Sequence, residues 1–114
     1  MHEASLVMGI LRIVQDEAAK YGSPAVVRVS LGMGLLACIE EQTLRGCFEI
    51  FAENTVAEKA ELIIEKIPLK CQCDSCHSSF VLHKKHFLCP HCGSTDITFE
   101  GGHGCTITAM EVES

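Results

Sequence analysis

A chain of 114 residues, 47% of them hydrophobic, can build one ordinary core and a small satellite, and no stretch approaches the roughly 20 apolar residues of a membrane span. The formal charge of −6 opposes binding to a phosphate backbone, and the one basic knot, His83-Lys84-Lys85-His86, is too small to line a nucleic-acid groove. The start, Met1-His2-Glu3-Ala4-Ser5, has neither a basic n-region nor a small-residue cleavage site. Eight cysteines in such a chain are therefore expected to be cytoplasmic thiols, bound to metal or buried, rather than disulfides.

Leu6, Ile10, Ile13 and Val14 follow helical spacing with polar residues largely off that stripe, which predicts a helix over about residues 4–20, stopped by Gly22 and Pro24. From Ala25 to Leu31 the residues Val27, Val29 and Leu31 alternate with Arg28 and Ser30, the pattern of a half-buried strand ending near Gly32 and Gly34. A second helix is expected over about 40–53, with Leu44, Cys47, Phe48 and Phe51 on one face. Ala60 to Pro68 reads as another strand, and Thr106 to Val112 as a third. Between them, from Cys71 to about Glu100, the chain is poor in aliphatics and shows no amphipathic period, so a metal is expected to organise it. Gly101 and Gly102 read as a hinge. The expected fold is α+β: a small three-stranded sheet with two helices, formed by residues 1–68 and 103–114, and an inserted rubredoxin-like zinc ribbon over 69–102.

Two Cys-x-x-Cys hooks, Cys73-Asp74-Ser75-Cys76 and Cys89-Pro90-His91-Cys92-Gly93, lie twelve residues apart. Each turn supplies two sulfurs, and the spacer is long enough to fold back and bring four thiolates around one ion. Zn²⁺ is the usual occupant, and four protein ligands leave no open position for a substrate. The four thiolates around Zn²⁺ carry two further negative charges, which makes the loaded chain more acidic still.

Several segments together resemble the HypA/HybF family of nickel metallochaperones. They are the start Met1-His2-Glu3-x-Ser5-Leu6, the strand Val27-Arg28-Val29-x-Leu31, the helix ending in Phe48-x-x-Phe51, and the late Cys-x-x-Cys pair. The resemblance runs in order through essentially the whole chain. It implies a nickel-binding α/β domain joined to a zinc domain, delivery of Ni²⁺ during maturation of [NiFe] hydrogenase, and work with a HypB-type GTPase and a hydrogenase large subunit. The family places nickel on the His-Glu start, which His2 and Glu3 carry here.

The chemistry of that start agrees. The Met1 amine, the deprotonated His2 amide and the His2 imidazole can chelate one ion through fused rings, and nitrogen donors held in a plane suit Ni²⁺ or Cu²⁺ better than Zn²⁺. Glu3 can complete the set through its amide nitrogen or its carboxylate. A carboxylate in the first turn also favours the helix dipole. In an arbitrary protein a histidine at position 2 is a solvated chain end, and only the whole-chain resemblance reverses that reading.

Other residues have two readings. Cys71 is a spare thiol beside the first hook, a packing residue or an alternative zinc ligand. Cys38 and Cys47 are expected in the core, and a small hydrophobe would serve as well at Cys105. His77 and His91 either donate hydrogen bonds near the site or exchange with a thiolate when pH or nickel loading changes. His103, in the Gly-Gly-His-Gly segment, is either an inert hinge histidine or, exposed and mobile, a further ligand that reaches the N-terminal nickel. The hooks also fit a rubredoxin-like iron site, without its aromatic core, and Cys73-Asp74-Ser75-Cys76-His77 fits a haem-attachment string, which requires export. An acidic zinc-ribbon adaptor without nickel delivery is the other alternative. No nucleophile–base pair or phosphate loop is present, so an enzyme is not expected. The spare thiol and hinge suit either a monomer or a homodimer.

Overall fold

The computed structural model describes residues 2–114. The chain runs α1 (Glu3–Ala19), β1 (Val26–Gly34), α2 (Glu41–Phe51), β2 (Glu61–Ile67), β3 (Leu69–Cys73), β4 (Ser79–Leu82), β5 (Ile97–Glu100) and β6 (Cys105–Val112). The fold is α+β, with two helices and two three-stranded sheets ordered β2-β1-β6 and β4-β3-β5. It divides into two compact units. One comprises the residues up to Leu31, Cys38–Ile64 and Ile107–Ser114, the other Gly32–Ala37 and Glu65–Thr106. No helix among the described residues is long and apolar enough to cross a membrane.

In the first unit α1 buries Val7, Ile10, Leu11, Val14 and Ala18. Of the expected stripe, Ile10 and Val14 are buried, whereas Ile13 is 57% exposed and Leu6 only half-buried. At about 100° per residue, Val7, Leu11, Val14 and Ala18 fall on one line while Ile13 lies about 120° away. The helix ends in a Schellman motif. Gly22 takes φ +83°, the N–H of Ser23 donates to the Ala18 carbonyl at 2.9 Å, and that of Gly22 to Ala19 at 3.2 Å.

Glu40 caps α2, its carboxylate accepting from the Thr43 N–H at 2.6 Å and the Thr43 hydroxyl at 2.7 Å. Leu44 and Phe48 are buried and α2 packs on α1. Cys47 is half-buried, whereas Phe51 is 41% exposed, so the expected apolar face is covered only over its first two turns. The Arg45 guanidinium donates to the Leu62 carbonyl at 2.7 Å and docks α2 on β2. Strand β1 lies at the centre of its sheet. Val29, Ser30 and Leu31 are all buried and Val27 is exposed, so the half-buried alternation expected from sequence does not hold on a central strand. On the flanking strands Glu61 and Glu111 pair with Arg28.

The second unit is built on β3, which pairs antiparallel with both β4 and β5; Cys71 faces Phe80 on one side and Phe99 on the other. Leu35, Leu69 and Cys71 form its buried core, with Leu36, Phe80, Leu82, Phe87 and Ile97 packed around them. The segment between Cys71 and Glu100, in which no amphipathic period was expected, is framed by these three strands. Leu69, Cys71 and Cys73 alternate as buried residues against exposed Lys70 and Gln72. The period-2 signal is there once cysteine is counted as a hydrophobe. Two backbones meet closely in this unit: the N–H of Leu36 donates to the Gly102 carbonyl and that of Gly34 to the Gly104 carbonyl, each at 2.8 Å.

Candidate metal centre

The two hooks fold alike. In the first, the Cys73 N–H donates to the Ser78 carbonyl at 2.8 Å and the His77 N–H to the Cys73 carbonyl at 2.9 Å. In the second, the Cys89 N–H donates to Ser94 at 2.9 Å and the Gly93 N–H to Cys89 at 2.8 Å. The residue after each second cysteine is left-handed, His77 at φ 63° and Gly93 at φ 75°. This turn aims both sulfurs of a hook to one side and also points backbone N–H groups at them: Cys76 N–H lies 3.4 Å from Cys73 Sγ, and His91 N–H 3.4 Å from Cys89 Sγ.

Facing hooks bring the Sγ atoms of Cys73, Cys76, Cys89 and Cys92 within 4.8 Å of one another. Cys73 to Cys92 and Cys76 to Cys89 are each 3.6 Å. Four sulfurs about 2.3 Å from a central ion stand about 3.8 Å apart in a tetrahedron, so the donor set fits Zn²⁺ in size and in chemistry. Cys73 and Cys89 are buried, Cys76 and Cys92 exposed.

The electrostatics also call for a cation. The Ser78 hydroxyl and then its backbone N–H lower the Cys76 thiol to about 6. At Cys92 the Ser94 backbone acts in the same direction, but the neighbouring sulfurs, Cys73 first, together with desolvation outweigh it and push that thiol up to about 12. Four thiolates at this spacing repel one another, and a divalent ion at their centre removes the penalty.

A surrounding shell fixes the hooks. The Ser75 and Ser94 hydroxyls meet at 2.9 Å across the pair. The Thr98 hydroxyl donates to both Asp74 carboxylate oxygens, at 3.0 and 2.8 Å, and the Asp74 N–H to the Asp96 carbonyl at 2.9 Å, tying the first hook to β5. Sequence reasoning passed over Asp74, Ser75, Ser78, Ser94 and Thr98. The signal was the serine two places beyond each second cysteine, visible when Cys73-Asp74-Ser75-Cys76-His77-Ser78 is laid on Cys89-Pro90-His91-Cys92-Gly93-Ser94.

Among the described residues the four hook cysteines are the one group of three or more metal-ligating side chains close enough to share an ion. Cys71 is not in it. Its thiol lies 3.6 Å from the Leu69 carbonyl within the apolar core, and burial raises its pKa. Cys38, expected in the core, is exposed, and Cys105 is half-buried. His77 and His91 are exposed. His103 is exposed between Gly102 and Gly104, whose carbonyls are both engaged by backbone N–H groups.

Met1 lies outside the described residues. His2 is the N-cap of α1, extended at φ −82° and ψ 125°, and its side chain makes no capping bond. Glu3 opens the helix, and its carboxylate accepts from the Glu40 N–H at 3.1 Å.

Comparison with known proteins agrees with this architecture. The profile of the family described as "Hydrogenase/urease nickel incorporation, metallochaperone, hypA" matches residues 1–112. Hydrogenase maturation factor HypA of Aquifex aeolicus is 35% identical over 113 residues, covering 99% of this chain and 98% of that one. Hydrogenase maturation factor HybF of Morganella morganii is 34% identical, covering 99% of this chain and all of its own. In fold, the solution structure of the Ni metallochaperone HypA from Helicobacter pylori superposes with a TM-score of 0.69 at 24% identity, covering 98% of this chain and 97% of that one. The chain, with its four-cysteine cluster and its His-Glu start, belongs to the HypA family of hydrogenase maturation metallochaperones.

Proposed function

We propose that this chain carries Ni²⁺ at its N-terminus and delivers it during maturation of a [NiFe] hydrogenase, without enzymatic activity of its own. Met1 supplies the amine, His2 its amide and imidazole, and Glu3 its amide nitrogen. The observation that carries the reading is the placement of His2 at the N-cap with an exposed imidazole uncommitted to capping. The first amides of a helix have no carbonyl partner within it, so a metal can take the His2 and Glu3 nitrogens without breaking a helical hydrogen bond. The Glu3 carboxylate already has a partner in the Glu40 N–H, which favours the amide as its donor.

Cys73, Cys76, Cys89 and Cys92 hold a resident Zn²⁺ in this reading, and its contribution is structural. Residues 69–102 form the zinc-binding domain, and 1–68 with 103–114 the nickel-binding domain. A HypB-type GTPase and a hydrogenase large subunit are the partners, met in the cytoplasm. Nucleotide chemistry then belongs to the partner, in keeping with a chain that has no phosphate loop.

Nickel titration of protein with its native N-terminus tests the assignment, beside a form extended by a short tag and the His2→Ala variant. The native form should bind one Ni²⁺ in a square-planar, diamagnetic state. Tagging or His2→Ala should abolish this and leave one zinc per chain. Loss of both metals together would overturn the division of labour, and full nickel binding by His2→Ala would move the site elsewhere.

A further inference from the structure

The four sulfurs of the metal centre are not equivalent, and the difference selects a site of chemical modification. Burial first divides them: Cys73 and Cys89 are closed off at 0% and 2% exposure, and Cys76 and Cys92 face solvent. Hydrogen bonding then separates the exposed pair. Cys76 Sγ lies 3.1 Å from the Ser78 hydroxyl, which must donate when the sulfur is a thiolate, since a thiolate has no proton to give. Ser94 stands in the same place relative to Cys92, two residues on in an otherwise matching hook. Its hydroxyl is turned elsewhere, 2.9 Å from Ser75 Oγ and accepting from the Asp96 N–H at 3.0 Å. Among the described residues no hydroxyl reaches Cys92 Sγ. The following residue is Gly93, where even a Cβ would meet nothing within 4 Å, whereas His77 follows Cys76.

We propose that Cys92 is the reactive corner of this centre, the sulfur at which a soft carbon electrophile attacks first, with Ser78 acting as a positioning residue that protects Cys76. A charge-assisted hydrogen bond draws electron density from a thiolate and occupies one of its faces. Cys76 is therefore the poorer nucleophile of the two exposed sulfurs. With iodoacetamide as the probe, a lone pair on Cys92 Sγ attacks the methylene carbon, the S–C bond forms, the C–I bond breaks and iodide leaves. No oxidant or reductant takes part. The product is a neutral thioether, a weak ligand for Zn²⁺, so modification at one corner opens the centre. The inference rests on the four-sulfur zinc assignment above.

The test uses full-length zinc-loaded protein whose metal content has been measured. It is treated with limiting iodoacetamide, quenched early and mapped by peptide mass, with zinc release followed in parallel by a chromogenic chelator. Among the four hook cysteines, adducts should accumulate on Cys92 about five- to tenfold faster than on Cys76, a fraction of what one hydrogen bond to a charged group is worth. Zinc should leave at the rate of the Cys92 adduct. Ser78→Ala should bring the two rates close together, while Ser78→Thr, which keeps the hydroxyl, should preserve the difference. If Ser78→Ala fails to fold, the ratio in the unsubstituted protein and in Ser78→Thr still decides. Equal rates, or a first adduct on Cys76, with one zinc per chain would overturn the reactive corner alone. Less than one zinc, or hook cysteines that react as fast as in denaturant, would overturn the zinc assignment beneath it.

Discussion

The carboxylate of Glu3, the first residue of α1, accepts the backbone N–H of Glu40, the N-cap of α2, at 3.1 Å. Both groups are held below the usual carboxyl value of 4.5, Glu3 chiefly by the Glu40 N–H and Glu40 by the Thr43 hydroxyl and N–H. A carboxyl whose folded pKa is lowered contributes stability above its unfolded pKa and loses it as pH falls through the folded value. Urea unfolding of nickel-free protein at intervals from about pH 5 to 3 should therefore show the native chain losing stability more steeply than Glu3→Gln. Zinc loss at acid pH is common to both, so the difference isolates Glu3. Parallel profiles would mean that the bond to Glu40 contributes nothing.

His77 and Gly93 occupy the same left-handed position in the two hooks, at φ 63° and 75°. A side chain in that conformation costs roughly 1–2 kcal/mol, and glycine escapes it. Because a Cβ at Gly93 would touch nothing, Gly93→Ala should destabilise the zinc-loaded protein by about 1–2 kcal/mol through torsion alone, and Gly93→Asn by less. His77→Gly should stabilise by about 0.5–1 kcal/mol once the extra freedom of the unfolded glycine is allowed for. Thermal unfolding of the loaded proteins provides the comparison. A destabilised His77→Gly would show that the imidazole makes a contribution larger than the strain.

The helices, the existence of strands β1, β2 and β6 and the pairing of hooks were legible because each rests on a local pattern: period 3.6, period 2, or fixed cysteine spacing; the order β2-β1-β6 rests on none. The stripe of α1 was right at Ile10 and Val14 and wrong at Ile13, because Ile13 and Leu11 are equally apolar and only packing chooses between them. Strands β3, β4 and β5 were not individually legible because β3 alternates cysteine with polar residues and β4 and β5 are only four residues each, too short for a period to stand out. Cys38 shows the converse error, an apolar type at an exposed position. The hydroxyl shell of Ser75, Ser78 and Ser94 depends on the hooks facing each other, a tertiary fact that spacing does not encode.

Glycine substitutions separate the two kinds of glycine in this fold. Gly9 and Gly46 lie inside helices with nothing near the position of a Cβ, so alanine at either should stabilise by about 0.5–1 kcal/mol. At Gly34 a Cβ would overlap the Gly102 carbonyl, and at Gly102, where φ is +96°, it would lie 2.5 Å from Leu69 Cδ1. The obstacle at Gly34 is backbone already committed to hydrogen bonds, so it cannot step aside cheaply. Gly34→Ala should cost about 2–3 kcal/mol or more. Chemical denaturation midpoints give all three values, and a tolerated Gly34→Ala would mean that these two backbones do not meet this closely in solution.

Metal removal should act on one unit and spare the other. Among the described residues the apolar core of the second unit is small, gathered around Leu35, Leu69 and Cys71, and the buried Cys73 and Cys89 are themselves sulfur donors. Without an ion the four sulfurs lose the charge that holds the hooks face to face, and so small a core cannot offset the ordering of β3, β4 and β5. The first unit carries Val7, Leu11, Val14, Val29, Leu31, Leu44 and Phe48 fully or nearly fully buried, and none of these depends on a metal. Treatment with a strong chelator should therefore release amide-exchange protection across residues 69–100 while α1 and α2 remain protected and the helical circular dichroism persists. Protection that survives in β3 would show that the apolar core suffices without zinc, and simultaneous loss from α1 would show that the first unit does not hold its structure alone.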